Sequence, residues 1–147
     1  GYRVTVTSDF HSNIENIWDK IQDIDTLREI CKPKASFIAC DDSPIQWKEG
    51  KTFVFKMYLH GFLPVGRHTI NVVKMDKTSR EIDTKEYDNT VVIWNHYIKM
   101  EEISQQVTRY TDTVDLYAGC LTSITAWWTL KFYKHRQRKW QKIAKSL

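Results

Sequence analysis

Two stretches in the second half of the sequence bring together an imidazole and a carboxylate that could share a proton. Residues 91–102 and 106–117 alternate apolar and polar side chains, as strands with one solvent-exposed face do. The alternation places His96 and Asp112 on the apolar faces. A tight turn near Ser104 then predicts a hairpin in which facing pairs lie close together, namely His96 with Asp112, Ile98 with Tyr110 and Trp94 with Val114.

A His–Asp pair among apolar side chains has two interpretations. In a site, the carboxylate would orient and charge the imidazole, which would act as a general acid or base or anchor the polar head group of a ligand. In a plain core, the two buried polar groups would only satisfy each other's hydrogen bonds. Both interpretations depend on the register, because a one-residue slip would turn both side chains to solvent.

Other candidates for chemistry are few. Glu86 follows Ile82 and Thr84 at period two and either joins the pair or faces solvent, and His68 could also face inward. We expect the remaining histidines, His11, His60 and His135, to meet water. The sequence has no metal-ligand spacing, no nucleophile motif and no glycine-rich phosphate loop, so no metal and no cofactor are predicted.

The elements that must position these residues follow from hydrophobic periodicity. A strand at residues 2–10 precedes a helix that an S-x-x-E capping box, Ser12 to Glu15, would start, and a second short helix follows. Between Lys34 and Tyr117 nearly every segment alternates, with turn signals between segments, which predicts six more strands paired antiparallel. After Gly119 the composition is helical. The predicted fold is α+β, in the order β-α-α-β6-α, with a curved seven-stranded antiparallel sheet wrapped around a long C-terminal helix.

Such a sheet either packs solidly against its helix or leaves a cavity, and the sequence favours neither. Phe53, Phe55, Met57 and Leu59 share one strand face, which we expect to point inward. On the last helix a wheel places four apolar residues on one face toward the sheet, namely Leu121, Ile124, Trp128 and Phe132. These soft, bulky side chains suit both a core and an apolar pocket.

Length and charge narrow the remaining choices. The 147 residues suit one domain, residues 1–147, and the six Trp, seven Tyr and six Phe are many for this size. The net charge of +4 is uneven, because seven Lys or Arg and no acid follow Asp115. This basic end is either a solvated helix terminus or a contact for an anionic membrane through Lys131, Lys134, Arg136, Arg138, Lys139 and Lys142, whereas nucleic acid is unlikely.

Cysteine usage and hydropathy point to a cellular location. The three cysteines, Cys31, Cys40 and Cys120, form an odd count without metal-ligand spacing, which is typical of a reducing compartment. No apolar run approaches the length of a membrane span, and no signal peptide opens the sequence. We therefore expect a cytoplasmic protein.

The order of elements and several stretches, "LPVGRHTINV", "VIWNHYIKME", "TRYTDTVDLYAG" and "FYKHRQRKW", resemble the START/Bet v 1-like superfamily, in particular its bacterial polyketide cyclase/dehydrase-like members. The resemblance covers nearly the whole chain. It implies a helix-grip fold with a hydrophobic ligand cavity between the sheet and the C-terminal helix, but no particular activity.

Three functions remain open from the sequence. The first is intracellular binding or transport of a small hydrophobic or lipid-like molecule in the cavity. The residues expected to line it are Phe53, Phe55, Met57, Trp94, His96, Ile98, Tyr110, Asp112, Val114, Ile124 and Trp128. The second is a cyclase- or dehydratase-like enzyme in which His96 and Asp112 move protons. The third is docking to a membrane or partner through the basic end. Of these the sequence favours binding, so it leans against an enzyme without excluding one.

Overall fold

The computed structural model describes residues 1–40 and 46–147. In these residues the chain forms seven strands, three α-helices and one turn of 3-10 helix: β1 (Tyr2–Phe10), α1 (Ile14–Ile21), α2 (Ile24–Cys31), β2 (Ala35–Ala39), β3 (Thr52–Leu59), β4 (Leu63–Asp76), β5 (Glu81–Tyr87), β6 (Ile93–Ser104), β7 (Val107–Tyr117), the 3-10 turn (Gly119–Leu121) and α3 (Thr122–Ala144). Asp41, the last residue of the predicted strand 34–41, lies outside the described residues.

The strands form one antiparallel sheet in the order β1-β7-β6-β5-β4-β3-β2. The order confirms the predicted helix-grip arrangement, in which β1 pairs with β7 and the helices α1 and α2 connect β1 to the opposite edge. Irregularities in register interrupt three ladders, near Met57, Val72 and Glu102. Because a bulge bends its strand and increases its twist, these positions curve the sheet around α3.

The register of the β6–β7 hairpin differs from the predicted one by two residues. His96 lies opposite Val114, Ile98 opposite Asp112 and Trp94 opposite Leu116. The reason is a turn placed one residue later than expected, with Ser104 facing Val107 and an irregularity after Glu102. Because the shift is an even number, every side chain stays on its predicted face.

The start of α1 also differs from the prediction. The N-cap is Asn13, whose side-chain oxygen accepts a hydrogen bond from the backbone N–H of Asn16 at 2.8 Å. Ser12 is buried and its hydroxyl has no hydrogen-bond partner, while Glu15 forms an ion pair with Arg80 instead of closing a capping box. An Asn side chain caps a helix as well as Ser does, so the S-x-x-E pattern was wrong by one residue.

The buried face of α3 is not the predicted apolar stripe. Its buried residues are Ala126, Thr129, Phe132, Tyr133, Arg136, Gln137, Trp140 and Ala144. Leu121 and Ile124 are exposed, Ile124 by 65%, and of the predicted stripe only Phe132 is fully buried, with Trp128 half-buried. The helix is therefore rotated about its axis relative to the predicted orientation, with the polar residues Arg136 and Gln137 facing the sheet.

The interior is packed differently in its two halves. Beside β1 and β7, Phe10 stacks on both Tyr110 and Trp140 with ring centroids 4.8 and 5.6 Å apart, and all three rings are buried. Toward β2 and β3, Trp47 contacts Phe53 and Phe55 edge to face, and Phe37 contacts Phe55 in the same way. Aromatic side chains therefore fill both flanks, and the remaining space lies between them.

Candidate functional site

A cavity of about 90 Å³ lies between the concave side of β3–β6 and the helices α2 and α3. Most of its lining is apolar, and the polar residues gather on β4, on β6, on β5 with the loop after it, and on α3. The residues that line it are Ile21, Thr26, Leu27, Ile30, Phe37, Trp47, Met57, His68, Ile70, Val72, Met75, Ile82, Thr84, Glu86, Asp88, Trp94, His96, Ile98, Phe132, Tyr133 and Arg136.

The volume of this cavity limits what it holds without rearrangement. Its 90 Å³ is well below the roughly 300–1,000 Å³ of pockets for drug-sized ligands. Met57 and Met75 belong to the lining, and unbranched methionines repack easily. A larger guest would have to displace such flexible side chains.

His68 forms the first part of a polar cluster in this cavity. Its Nδ1 lies 3.0 Å from Asp88 Oδ2 and its Nε2 lies 2.8 Å from Glu86 Oε1. Since a carboxylate only accepts hydrogen bonds, both ring nitrogens donate, and the imidazole carries its proton. Burial lowers the pKa of His68, but the hydrogen bonds that its ring donates to both carboxylates outweigh burial and raise the pKa to about 9.

The two carboxylates beside His68 are held ionised. Burial raises the pKa of Glu86, but the hydrogen bonds with His68 and His96 outweigh it, so that its pKa lies well below the usual range. Glu86 Oε2 also accepts from the Thr84 hydroxyl at 2.6 Å. The Asp88 pKa is likewise lowered, since its bonds to His68 and to the backbone N–H groups of Val91 and Thr90 exceed the effect of burial.

His96 and Asp112 form the second part of the cluster. His96 Nε2 donates to Asp112 Oδ1 at 2.6 Å, and the side-chain amide of Gln137 donates to Asp112 Oδ2 at 3.0 Å and to the Val6 carbonyl at 2.7 Å. Burial lowers the pKa of His96, but the hydrogen bond to Asp112 and the nearby charge of Glu86 raise it above the ordinary value. The predicted pair thus exists, as diagonal rather than directly facing neighbours.

The other ring nitrogen of His96 faces the cavity. Its closest polar neighbours are Tyr133 Oη at 3.5 Å and Glu86 Oε2 at 3.7 Å, and Trp94 Nε1 in turn donates to Tyr133 Oη at 3.3 Å. These contacts are too long to occupy a strong donor. His96 Nδ1–H can therefore donate to a bound molecule.

Arg136 completes the polar lining. Its side chain is 7% exposed, and its guanidinium carbon lies 4.6 Å from the ring centroid of Tyr133 and 5.9 Å from that of Phe132. Within the described residues it donates no hydrogen bond to protein and forms no ion pair with a carboxylate, and its buried Nε has no partner. Such an arrangement is unusual, because a buried charge is normally paired.

The structure brings only some of the predicted ligand-binding residues to the cavity. Four of them line it, namely Met57, Trp94, His96 and Ile98. The others pack elsewhere: Phe53 and Phe55 against Trp47, Tyr110 in the aromatic stack, and Asp112 and Val114 behind the lining. Ile124 is exposed and Trp128 stacks on Phe132 outside the lining, so both placements were wrong, because α3 is rotated.

Residues that sequence reasoning missed lie on α3 and in the loop after β5. Tyr133, Arg136 and Asp88 were not assigned to the cavity. A usable signal existed on α3, since Ala126, Thr129, Tyr133, Trp140 and Ala144 recur at helical spacing around Arg136 and Gln137. Nothing local to Asp88 indicates that it bonds to His68.

The basic residues of α3 divide into two groups. Arg136, predicted to contact a membrane, is buried in the cavity and cannot serve that surface. Lys139 is half-buried, and His135 is also only half-exposed, with its Nε2 2.6 Å from the Lys32 carbonyl. The exposed cations are Lys131, Lys134, Arg138, Lys142 and Lys145.

Two further properties concern metals and membranes. Over residues 1–40 and 46–147, no three His, Cys, Asp or Glu side chains surround a common point as metal ligands would. In the same residues no helix combines the length and the apolar character that crossing a bilayer requires.

Comparison with known proteins supports the fold. The sequence matches no family model and no curated protein. The fold, however, is similar to that of a START superfamily protein from Mycobacterium smegmatis, with a TM-score of 0.71 and 13% identity over 99% of both chains. It is also similar to another M. smegmatis protein (TM-score 0.74, 13% identity, 98% of this chain and 91% of that one) and to one from Thermus thermophilus (TM-score 0.73, 9% identity, 99% and 98%). The chain therefore has the START/Bet v 1-like fold, as the sequence motifs predicted.

Proposed function

We propose that this chain binds a small and mainly apolar molecule in the cavity between the sheet and α3, and that it can carry this molecule. The observation behind the proposal is the composition of the lining, where apolar side chains enclose the space and a few polar groups converge on one side. Apolar walls supply affinity, and His96 Nδ1–H and the Arg136 guanidinium supply orientation. The START/Bet v 1-like fold, which is typically associated with hydrophobic ligands, agrees with this function.

Adjacent valines on β4 offer a matched test. Val72 lines the cavity, whereas Val73 is 50% exposed on the other face of the strand. Val72→Phe should fill the cavity and abolish binding of an apolar fluorescent probe, while Val73→Phe should bind it like the unchanged protein. Native mass spectrometry of the purified protein should also reveal a co-purifying apolar molecule that Val72→Phe lacks. Equal probe binding by both folded variants would show that the guest lies elsewhere.

An enzymatic role is the second candidate, favoured by the geometry of His96. Asp112 accepts the hydrogen bond from Nε2–H, which favours the protonated imidazole and raises its pKa, and Nδ1 faces the cavity. In a cyclase- or dehydratase-like reaction this group would act as a general acid, donating a proton to the carbonyl oxygen of an enolisable substrate while the ionised Glu86 of the same lining accepts the proton from the α-carbon. Deuterium exchange at the central carbon of a 1,3-diketone tests it: exchange above the buffer rate should vanish in His96→Ala. Unaltered exchange in that variant would remove His96 from the chemistry.

The third candidate is contact with an anionic membrane through the outer face of α3. Ile124 and Trp127 are exposed on its first turns, and Lys131, whose ammonium lies 5.0 Å from the Trp127 ring, begins a stripe of exposed cations continued by Lys134, Arg138, Lys142 and Lys145. The helix contains no acid. An apolar start followed by a basic stripe suits the boundary between acyl chains and anionic headgroups.

The cytoplasmic location expected from the cysteines stays a prediction.

A further inference from the structure

We infer that the molecule bound in the cavity is a monoanion, of the carboxylate class, whose charged group pairs with Arg136. The inference rests on the proposed binding function and adds the chemical class of the ligand. It comes from three features of the cavity: the hydrogen bonds of its charged groups, the surroundings of Arg136, and the available volume.

The carboxylates near the cavity already have their partners. Glu86 accepts from His68 and Thr84, and Asp88 accepts from His68 and from the backbone N–H groups of Thr90 and Val91. Asp112 accepts from His96 and Gln137. Each acid is thus satisfied by donors other than Arg136, which leaves one cation of the lining without an acceptor.

Arg136 is held by contacts that supply no acceptor in the plane of the guanidinium. The group lies over the ring of Tyr133, an interaction with the aromatic face that leaves the N–H groups at its edge available. A buried cation without hydrogen-bonded compensation costs several kcal/mol. A ligand carboxylate would remove that cost and would match the guanidinium fork with two parallel hydrogen bonds.

A second donor faces the same cavity. Tyr133 contacts both Arg136 and His96, with the His96 ring centroid 5.0 Å from its own. His96 Nδ1–H lacks a close acceptor, so it can donate to a second acceptor atom of the same ligand. No lysine lines the cavity, within the part of the chain that the structure describes, and the space is about 90 Å³. A single guanidinium suits one negative charge better than the higher charge of a phosphate, and the small volume limits the apolar part of the ligand to a short chain.

Matched pairs of ligands test the inference directly. Butyrate with butyramide, and hexanoate with hexanamide, differ mainly in charge, and calorimetric titration gives the affinity of each. A charge-assisted, bidentate bond should make the carboxylate bind the unchanged protein about tenfold to a hundredfold more tightly than its amide. Arg136→Gln should abolish the preference by weakening carboxylate binding, with the amide affinity little changed.

Control variants separate the possible outcomes. Lys134→Gln removes an exposed cation from the same helix and should keep the full preference. If Arg136→Gln fails to fold, Arg136→Lys keeps the charge without the fork and should show a reduced preference. Equal binding of acid and amide by the unchanged protein would overturn the inference but leave the binding function intact. The inference would also be overturned if neither the acid nor the amide of any pair bound while the apolar probe did bind. If the probe also failed to bind, the proposed binding function would be overturned as well.

Discussion

His68 on β4 and Glu86 on β5 form a buried ion pair, with His68 Nε2 2.8 Å from Glu86 Oε1 and only a few per cent of the histidine side chain exposed. The pair extends through Asp88 on one side of His68, and Glu86 lies near His96, which pairs with Asp112. Imidazoles thus alternate with carboxylates across four neighbouring strands, β4 to β7, and the loop after β5. The cavity polar groups are therefore one electrostatic unit whose charge state depends on pH.

The first prediction concerns the pH dependence of stability. The pKa of His68 rises from 6.5 to about 9 on folding, so its contribution is complete below about pH 6.5 and is lost as the pH rises toward 9. The free energy of unfolding from urea titrations should fall over that interval by roughly 3 kcal/mol for His68 alone. His96, whose pKa is also raised, acts in the same direction.

Histidine variants identify the source of this pH dependence. His68→Gln should flatten the fall in unfolding free energy between pH 6.5 and 9, whereas His11→Gln, which changes an exposed ring, should leave it as it is. A free energy that is independent of pH in the unchanged protein would contradict the prediction.

The second prediction concerns Asp112. Asp112→Asn replaces the acceptor of the His96 Nε2–H with a neutral group, so the pKa of His96, followed by NMR of the imidazole nitrogens, should fall. Unfolding free energy at pH 7 should drop by about 2 kcal/mol, since a buried hydrogen bond to a charged group is lost. Asp115→Asn, on the same strand but in an exposed ion pair with Arg3, is the matched control and should change neither quantity appreciably. An unmoved His96 titration in Asp112→Asn would mean that the pair is not coupled in solution.

The third prediction compares two neighbouring residues at the start of α1. Asn13→Ala removes the cap of the Asn16 N–H and should lower the unfolding free energy by about 1 kcal/mol. Ser12→Ala removes a buried hydroxyl that has no hydrogen-bond partner, so it should be neutral or slightly stabilising. Chemical denaturation measures both. The reverse order of effects would restore the capping box that the sequence pattern indicated.

The fourth prediction tests the basic stripe of α3. Changing Lys131, Lys134, Arg138 and Lys142 to Gln should reduce sedimentation with vesicles rich in phosphatidylserine by about a hundredfold or more in affinity, since each surface cation contributes about 1 kcal/mol. An equal loss of exposed charge away from α3, by changing Lys48, Lys51, Lys56 and Arg67 to Gln, is the control. If both quadruple variants sediment like the unchanged protein, the stripe is only a solvated face.

The fold was predictable because its signals are local. Alternation along the strands, turn residues between them and a long helical segment after Gly119 each depend on a few neighbouring residues. The concave faces of β3, β6 and β7 were predicted correctly for the same reason. Side chains alternate between the two faces of a strand, so the two-residue error in the β6–β7 register left each residue on its predicted face.

The site was only partly predictable because its partners are distant in sequence. Gln137 faces inward because it bonds to the Val6 carbonyl and to Asp112, which belong to β1 and β7. Arg136 turns inward with it. A helical wheel counts both as solvent-facing residues, and it prefers Leu121 and Ile124, which the rotation of α3 leaves outside.

The pairing of β1 with β7 has a consequence for how the protein is made. Tyr2 lies opposite Leu116 and Phe10 opposite Thr108, so the first strand hydrogen-bonds to one synthesised about a hundred residues later. While the ribosome is still adding the intervening sequence, residues 2–10 have no ladder to join. Contacts between such distant segments form slowly, and until β7 is available the unpaired β1 can pair with other chains. Chaperone protection of the nascent chain would matter most until β7 has emerged from the exit tunnel.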